Sequence, residues 1–257
     1  MADNFCQTTI DGGPALQPTE VYEQAVTMFT EAIAAADGSG VDDFRWPAVT
    51  GRARANLMLG NFQAARDDAA LIPQGFEFNA NYAESNGPQN SVATHSIAVF
   101  RKEGGVDPRF YEDPAYATDP RLAFVNRGPD FVGEDRIRQF VEQSKYTVRG
   151  SDAPIASWQE ARLIEAEAEL ELGNIPRAIE LIDEVRAAAP GGGLPAYSGA
   201  ATEAEVRAAI MFERSVELFL EAKTLNDMRR TNHPLLEGRA TCFPISQTEL
   251  DTNPNVN

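Results

Sequence analysis

Two stretches of this chain can be laid over one another. "LMLGNFQAA" aligns with "LELGNIPRA", so that Leu57, Leu59, Gly60, Asn61 and Ala65 fall on Leu170, Leu172, Gly173, Asn174 and Ala178. Upstream, Ala53 falls on Ala166. In both copies an apolar-periodic run stops at Gly-Asn and a second run begins. Glycine permits the turn, and small residues at matched positions let two antiparallel helices approach closely. Each stretch therefore reads as a helical hairpin.

The hairpins are of the tetratricopeptide type, in degenerate form. The offset between Gly60 and Gly173 is 113 residues, against a period of about 34 for that repeat. They are not successive units of a simple array, and something large is inserted between them. Other helices surround them. An amphipathic stretch from Thr19 to Ala36 places Val21, Ala25, Met28, Phe29, Ala32 and Ile33 on one stripe. Ala48 to Leu59 and Asn61 to Ile72 form the first hairpin, stopped by Pro73. Ser157 with Glu160 is a capping box that opens a helix to Leu172. Pro176 sits in the first turn of the next helix, which runs to about Ala188. A last helix, capped at Thr202 with Glu205, is expected to run to about Arg230.

The insert, residues 74–154, differs in kind. "SNGPQN", "KEGG", "EDPAYATDP" and "NRGPD" are turn chemistry. Half of the chain's aromatic side chains also fall between Phe76 and Tyr146. Long irregular stretches are functional or disordered, and disorder is poor in rings, so function or loop packing is favoured. The expected architecture is all-α: one domain over 1–257, with a helical part at 1–73, the ring-rich insert at 74–154 and a helical part with its tail at 155–257.

Twenty-two Lys and Arg against 39 Asp and Glu leave a net charge of −17. Such a surface repels polyphosphate backbones and anionic membranes, which sets nucleic acid aside and leaves neutral ligands such as sugars open. No apolar run is long enough for a transmembrane helix. "MADNFCQTTI" is not a signal peptide, so the protein is either cytosolic or shown without its export segment. Cys6 and Cys242 stand near opposite ends. They are either two unrelated buried thiols or one disulfide clamping the tail to the N-terminal segment, and sequence leaves both open.

Three stretches in order carry a resemblance: "EARLIEAEAELELGNIPRAIELIDEVR", "IMFERSVELFLEAKTLNDMRR" and "CFPISQTELDTNPNVN". Together they resemble the C-terminal half of the SusD/RagB family of outer-membrane nutrient-binding proteins. The helix supplies Glu213, Arg214, Glu217, Leu218, Glu221, Asp227 and Arg230. The tail supplies Pro244, Ile245, Glu249, Asn253 and Pro254. "DPR" at 119–121 is also similar to the family. Ala222-Lys223-Thr224 stands where the family has a Gly-His-Arg-like step, and Ser246 replaces a proline. The resemblance implies a lipobox and further helices ahead of Met1, so the chain resembles an N-terminally truncated member. It implies a tail packed back across the helical core. It further implies non-catalytic binding of a glycan or other oligomeric nutrient at the outer face of the outer membrane, and delivery to a TonB-dependent transporter. The alternative is an intracellular tetratricopeptide-like adaptor gripping a protein or peptide.

Glu213, Glu217 and Glu221 share one helix face at i, i+4 and i+8. The spacing approaches that of a glycosidase pair, but like charges at i, i+4 repel, so structural pairing with Arg162, Arg214 or Arg230 is the expected role. His95 and His233, the only histidines, have no Cys or His at ligand spacing, and "PGGGLP" lacks the lysine of a phosphate loop. No cofactor, metal or catalytic residue is expected. Trp46 and Trp158 read as core anchors. Ligand binding is expected in the insert. Tyr82, Tyr111 and Tyr116 would stack on sugar faces, with Asn81, Asn86, Asn90 and Asp113 bonding to hydroxyls.

Overall fold

A computed structural model describes residues 8–10, 12–40, 44–239 and 242–256. Helices α1 (Pro18–Ser39), α2 (Arg45–Met58) and α3 (Phe62–Ala69) come first. The stretch after them carries strand β1 (Glu77–Ala80) and the short helices α4 (Ser91–Ser96), α5 (Arg109–Glu112) and α6 (Pro114–Ala117). Two-residue strands β2 (Phe124–Val125) and β3 (Glu142–Gln143) pair with each other. Strand β4 (Ala153–Ser157) then leads into α7 (Trp158–Glu171), α8 (Ile175–Ala187), α9 (Glu203–Glu217), α10 (Thr224–Arg230) and α11 (Gln247–Thr252).

The two Gly-Asn turns have the same geometry. Gly60 and Gly173 lie at φ 75° and 84°, where a side chain would be strained. In each, the following Asn amide donates to the carbonyl five residues back: Asn61 to Asn56 at 2.9 Å, Asn174 to Glu169 at 2.8 Å. These bonds satisfy carbonyls that the ending helix leaves free. In space the hairpins are neighbours, because α3 and α2 both pack on α7. The insert leaves and returns at one neck, where β1 pairs antiparallel with β4 from Glu77↔Ser157 to Ala80↔Ala153.

The helical core has two parts. Ile33, Val49, Ala53, Leu57, Ala65 and Ile164 join α1, α2, α3 and α7, with Trp158 buried among them and Trp46 packed on the edge. Leu170, Ala178, Leu181, Ile182, Val206 and Ile210 join α7, α8 and α9. Helix α7 is buried nearly all round, charged residues included. Buried charge must be paired, and here it is. Glu160 meets Arg54 and Lys223, Glu165 meets Arg162 and Arg177, and Glu167 meets Arg230. Burial pushes the Glu160 carboxyl up, but Arg54 and Lys223 outweigh it and hold the group at about 2.

The helix expected from Thr202 to Arg230 is broken. Helix α9 stops at Glu217 and α10 starts at Thr224. Between them Leu220 and Ala222 take φ of 61° and 60°. Insert contacts replace the lost helical bonds. Lys145 Nζ donates to the Phe219 carbonyl at 2.9 Å and the Tyr146 hydroxyl to that of Leu220 at 3.3 Å. Phe219 packs against Phe110 with ring centroids 5.1 Å apart.

The tail is tied to the other end of the chain. Asn253 Nδ2 donates to the Gly13 carbonyl at 2.8 Å, Asn255 Nδ2 to that of Gly12 at 2.9 Å, and Thr9 Oγ1 to Glu249 at 2.6 Å. Cys6, one half of the clamp considered from sequence, lies outside the described residues.

Candidate functional site

The insert is held on the helices by two apolar clusters that meet at Leu220. Val106, Phe110, Leu122 and Val141 pack against Val216 and Phe219. Ala93, Ile97 and Tyr146 form the second. A buried arginine fixes the junction. Arg121 Nη1 reaches Glu213 at 2.5 Å and Glu217 at 3.4 Å, while Nε and Nη2 bond both oxygens of Asp119 at 2.9 and 2.8 Å. Arg186 takes the other Glu213 oxygen at 2.6 Å. Glu221 lies beyond the end of α9 and meets Lys145 at 2.6 Å. The three glutamates are thus ion-paired, as expected, but not by the arginines expected. Arg162 serves Glu165, Arg214 serves Asp227, and Arg230 serves Glu167 and Asp227. Arg121 is separated from Glu213 and Glu217 by over ninety residues of chain, and only the "DPR" triplet pointed to it.

The segment from Asp107 to Tyr116 lies over the first cluster and is a wall with two sides. On one side opens a cleft of about 760 Å³, made wholly from the insert and lined by Tyr111, Asp107, Glu112, Gln139, Arg138 and Glu134, among others. Its floor is the ring of Phe140, which is 2% exposed. Tyr111 is half-buried, edge-on to Phe124 at 6.4 Å. Burial, with the carboxylates of Glu112 and Asp107, pushes its phenol above the usual range. A half-buried tyrosine over a phenylalanine floor, beside several carboxylates, an amide and a guanidinium, suits a neutral, hydroxyl-rich ligand.

Tyr116 faces the other side. It packs on Phe212 at 4.8 Å and lines a separate cavity of about 250 Å³ toward α9 and α10. The structure therefore divides Tyr111 from Tyr116. Tyr82 is half-buried near Tyr146, and its backbone N–H donates to Asp152 at 2.9 Å. Asn81 and Asn86 are exposed. Asn90 is 2% exposed and its side chain is bonded at both ends, the oxygen accepting from the Ala93 amide at 3.1 Å and the nitrogen donating to the Ser151 carbonyl at 2.9 Å. Asp113 is exposed and caps α6 by accepting from the Ala115 amide at 2.9 Å. The polar members of the cleft, Gln139 and Arg138, went unnoticed in the sequence because a charged loop reads as solvated until its partner loop is known.

Among the described residues no helix is long and apolar enough to cross a membrane, and no group of three or more His, Cys, Asp or Glu could hold a metal.

The fold and cleft define a class: a helical-hairpin scaffold that carries a loop-built pocket on an insert. The sequence model of the SusD family matches residues 159–240. Solved structures share the fold along the whole chain. A SusD-like carbohydrate-binding protein from Bacteroides fragilis has a TM-score of 0.69 at 15% identity, covering 100% of this chain and 76% of its own. A laminarin-binding SusD-like protein gives 0.68 at 16%, covering 100% and 74%. A SusD superfamily protein from Bacteroides thetaiotaomicron gives 0.70 at 15%, covering 97% and 68%. A search of curated proteins gives no match. The C-terminal part thus carries the SusD family pattern, and the chain has the SusD-like, mostly helical fold that its motifs implied.

Proposed function

We propose that this protein binds a glycan without cleaving it, in the cleft beside Tyr111, at the outer face of the outer membrane, and delivers it to a TonB-dependent transporter. The observation that carries the binding step is the cleft itself. It is open, about 760 Å³, and lined by the rings of Tyr111 and Phe140 with amide, carboxylate and guanidinium groups, on an insert anchored by Arg121. Structural neighbours described as carbohydrate-binding and laminarin-binding support the ligand class. Non-catalytic binding is supported by Glu213 and Glu217, whose carboxylates are committed to arginine inside the core. Tyr111 is the stacking platform. Tyr82, Asn81, Asn86 and Asp113 are contacts for outer units of an oligomer, and Asn90 holds the 81–90 loop in place.

Affinity electrophoresis through gels containing a panel of polysaccharides tests the binding step. Retardation by at least one neutral glycan is expected. Tyr111→Ala, with its melting temperature checked, is expected to weaken retention about tenfold, equivalent to about 1.4 kcal/mol. Retention by none of the panel, or retention untouched by Tyr111→Ala, would defeat the assignment. Co-purification with a TonB-dependent barrel in detergent tests delivery, and elution of the chain alone would count against that step.

A further inference from the structure

The cavity behind the wall has a different chemistry from the cleft. It shares no lining residue with it. Tyr116, Phe212, Met211 and Met228 give it apolar sides. Its one carboxylate, Asp227, is already paired with arginine on both oxygens. One oxygen accepts from Arg214 Nε at 2.8 Å, and the other from Arg230 Nε and Nη2 at 2.9 and 2.7 Å. Asp227 is 9% exposed, and its charge is met by two guanidinium groups.

Donors, by contrast, are spare. Arg109 lies over the Phe110 ring at 4.4 Å, and its buried Nε has no hydrogen-bond acceptor, the nearest carboxylate being Asp107 at 3.9 Å. His233 Nδ1 accepts from the Leu235 amide at 3.2 Å, so the neutral ring carries its proton on Nε2. The Tyr116 hydroxyl has only Ser215 Oγ, at 3.5 Å, and that group's own hydrogen is aimed at the Phe212 carbonyl at 2.8 Å. A guanidinium, an imidazole N–H and a phenol therefore line a half-apolar pocket with no free carboxylate, in a chain of net charge −17. Of these, Arg109 Nε is a buried donor without an acceptor, and such a group costs free energy that an anionic acceptor would recover.

We propose that this pocket is a second binding site, which takes one small ring-bearing carboxylate of monosaccharide size, such as a hexuronate. The ring lies against Tyr116, Phe212 and the methionines, and the carboxylate meets Arg109 and His233. A volume of about 250 Å³ admits one such unit and excludes a chain. The site is independent of the cleft, so loss of one leaves the other standing.

Isothermal titration of the full chain with D-glucuronate, D-glucose and acetate distinguishes the parts of this reading. Saturable binding of D-glucuronate is expected, at least tenfold tighter than either D-glucose, which lacks the charge, or acetate, which lacks the ring. Arg109→Gln is expected to weaken D-glucuronate at least tenfold. His233→Gln serves as a second probe should Arg109→Gln melt early, and a threefold or greater loss is expected there. Equal affinity for D-glucose, undiminished binding in both variants, or no saturable binding of D-glucuronate would overturn the proposal.

Discussion

Replacing Arg121 with Met keeps most of the side-chain volume and removes the charge. Arg121 is 3% exposed at its side chain and faces Asp119 at 6%, Glu213 at 2% and Glu217 at 15%. Glu213 keeps Arg186; Asp119 and Glu217 lose their guanidinium partner. Removing one member of a buried ion pair costs about 3–5 kcal/mol, because the remaining charge stays desolvated. For a chain of this size that is about 6–20 °C in Tm, at about 2–4 °C per kcal/mol. The pH response separates this from simple loss of packing. Burial pushes Asp119 up, but its bonds from Arg121 hold it below its ordinary value. It therefore stabilises the wild-type fold above its unfolded pKa and is neutral to a change from pH 7.5 to 5. In the variant, without the guanidinium, its folded pKa rises, opposed only by the residue-121 backbone amide and Arg186. Glu217, which burial already raises, moves further. Protonation then favours the folded form, so the deficit must shrink as pH falls toward 5. Guanidinium titrations at the two pH values read both effects. Adding Asp119→Asn and Glu217→Gln is expected to return most of the loss. A deficit under about 1 kcal/mol at pH 7.5, set against the expected range, or one that grows at pH 5, would refute the reasoning.

Two further changes test other parts of the molecule. Ala222 sits at φ 60°, where a side chain costs about 1–2 kcal/mol, while glycine gives up about 0.4–1 kcal/mol through the unfolded chain. Ala222→Gly should therefore be neutral or stabilising by up to about 1.5 kcal/mol in chemical denaturation, and a loss of about 1 kcal/mol, the usual helix-interior outcome, would contradict it. Glu160, held at about 2, contributes stability above its unfolded pKa that is lost as pH falls from about 4.5 toward 2. Glu160→Gln should be less stable at pH 7, where Arg54 and Lys223 lose their carboxylate, but show a flatter acid limb. An unchanged limb would mean that Glu160 does not titrate with unfolding.

The hairpins were legible because Gly60-Asn61 and Gly173-Asn174 encode a local turn, and local geometry follows from local residues. Ser157 and Thr202 were legible as caps for the same reason: each accepts from the amide three residues on. The break after Glu217 was not, because the carboxylate spacing continues through it as if helical. What bends the chain there is Lys145 and Tyr146, brought from the insert. The partner of Glu213 was hidden in the same way, since nothing local marks Arg121 as its mate. Tyr111 and Tyr116 are five positions apart, and in an irregular segment that separation says nothing about which side each ring faces.

The insert is attached at a limited set of places: the β1–β4 neck, the Arg121 ion pairs, Lys145 with Tyr146, and the two apolar clusters that seat it on α9 and the turn after it. Between these rivets the loops around Asn86 and Asp135 are exposed, so they can lengthen, shorten or change residue type while the stack beneath is untouched. A lineage bearing this scaffold can thus change what it recognises by rewriting a few dozen positions, and a protein engineer who respects the same rivets can transplant one specificity onto another frame.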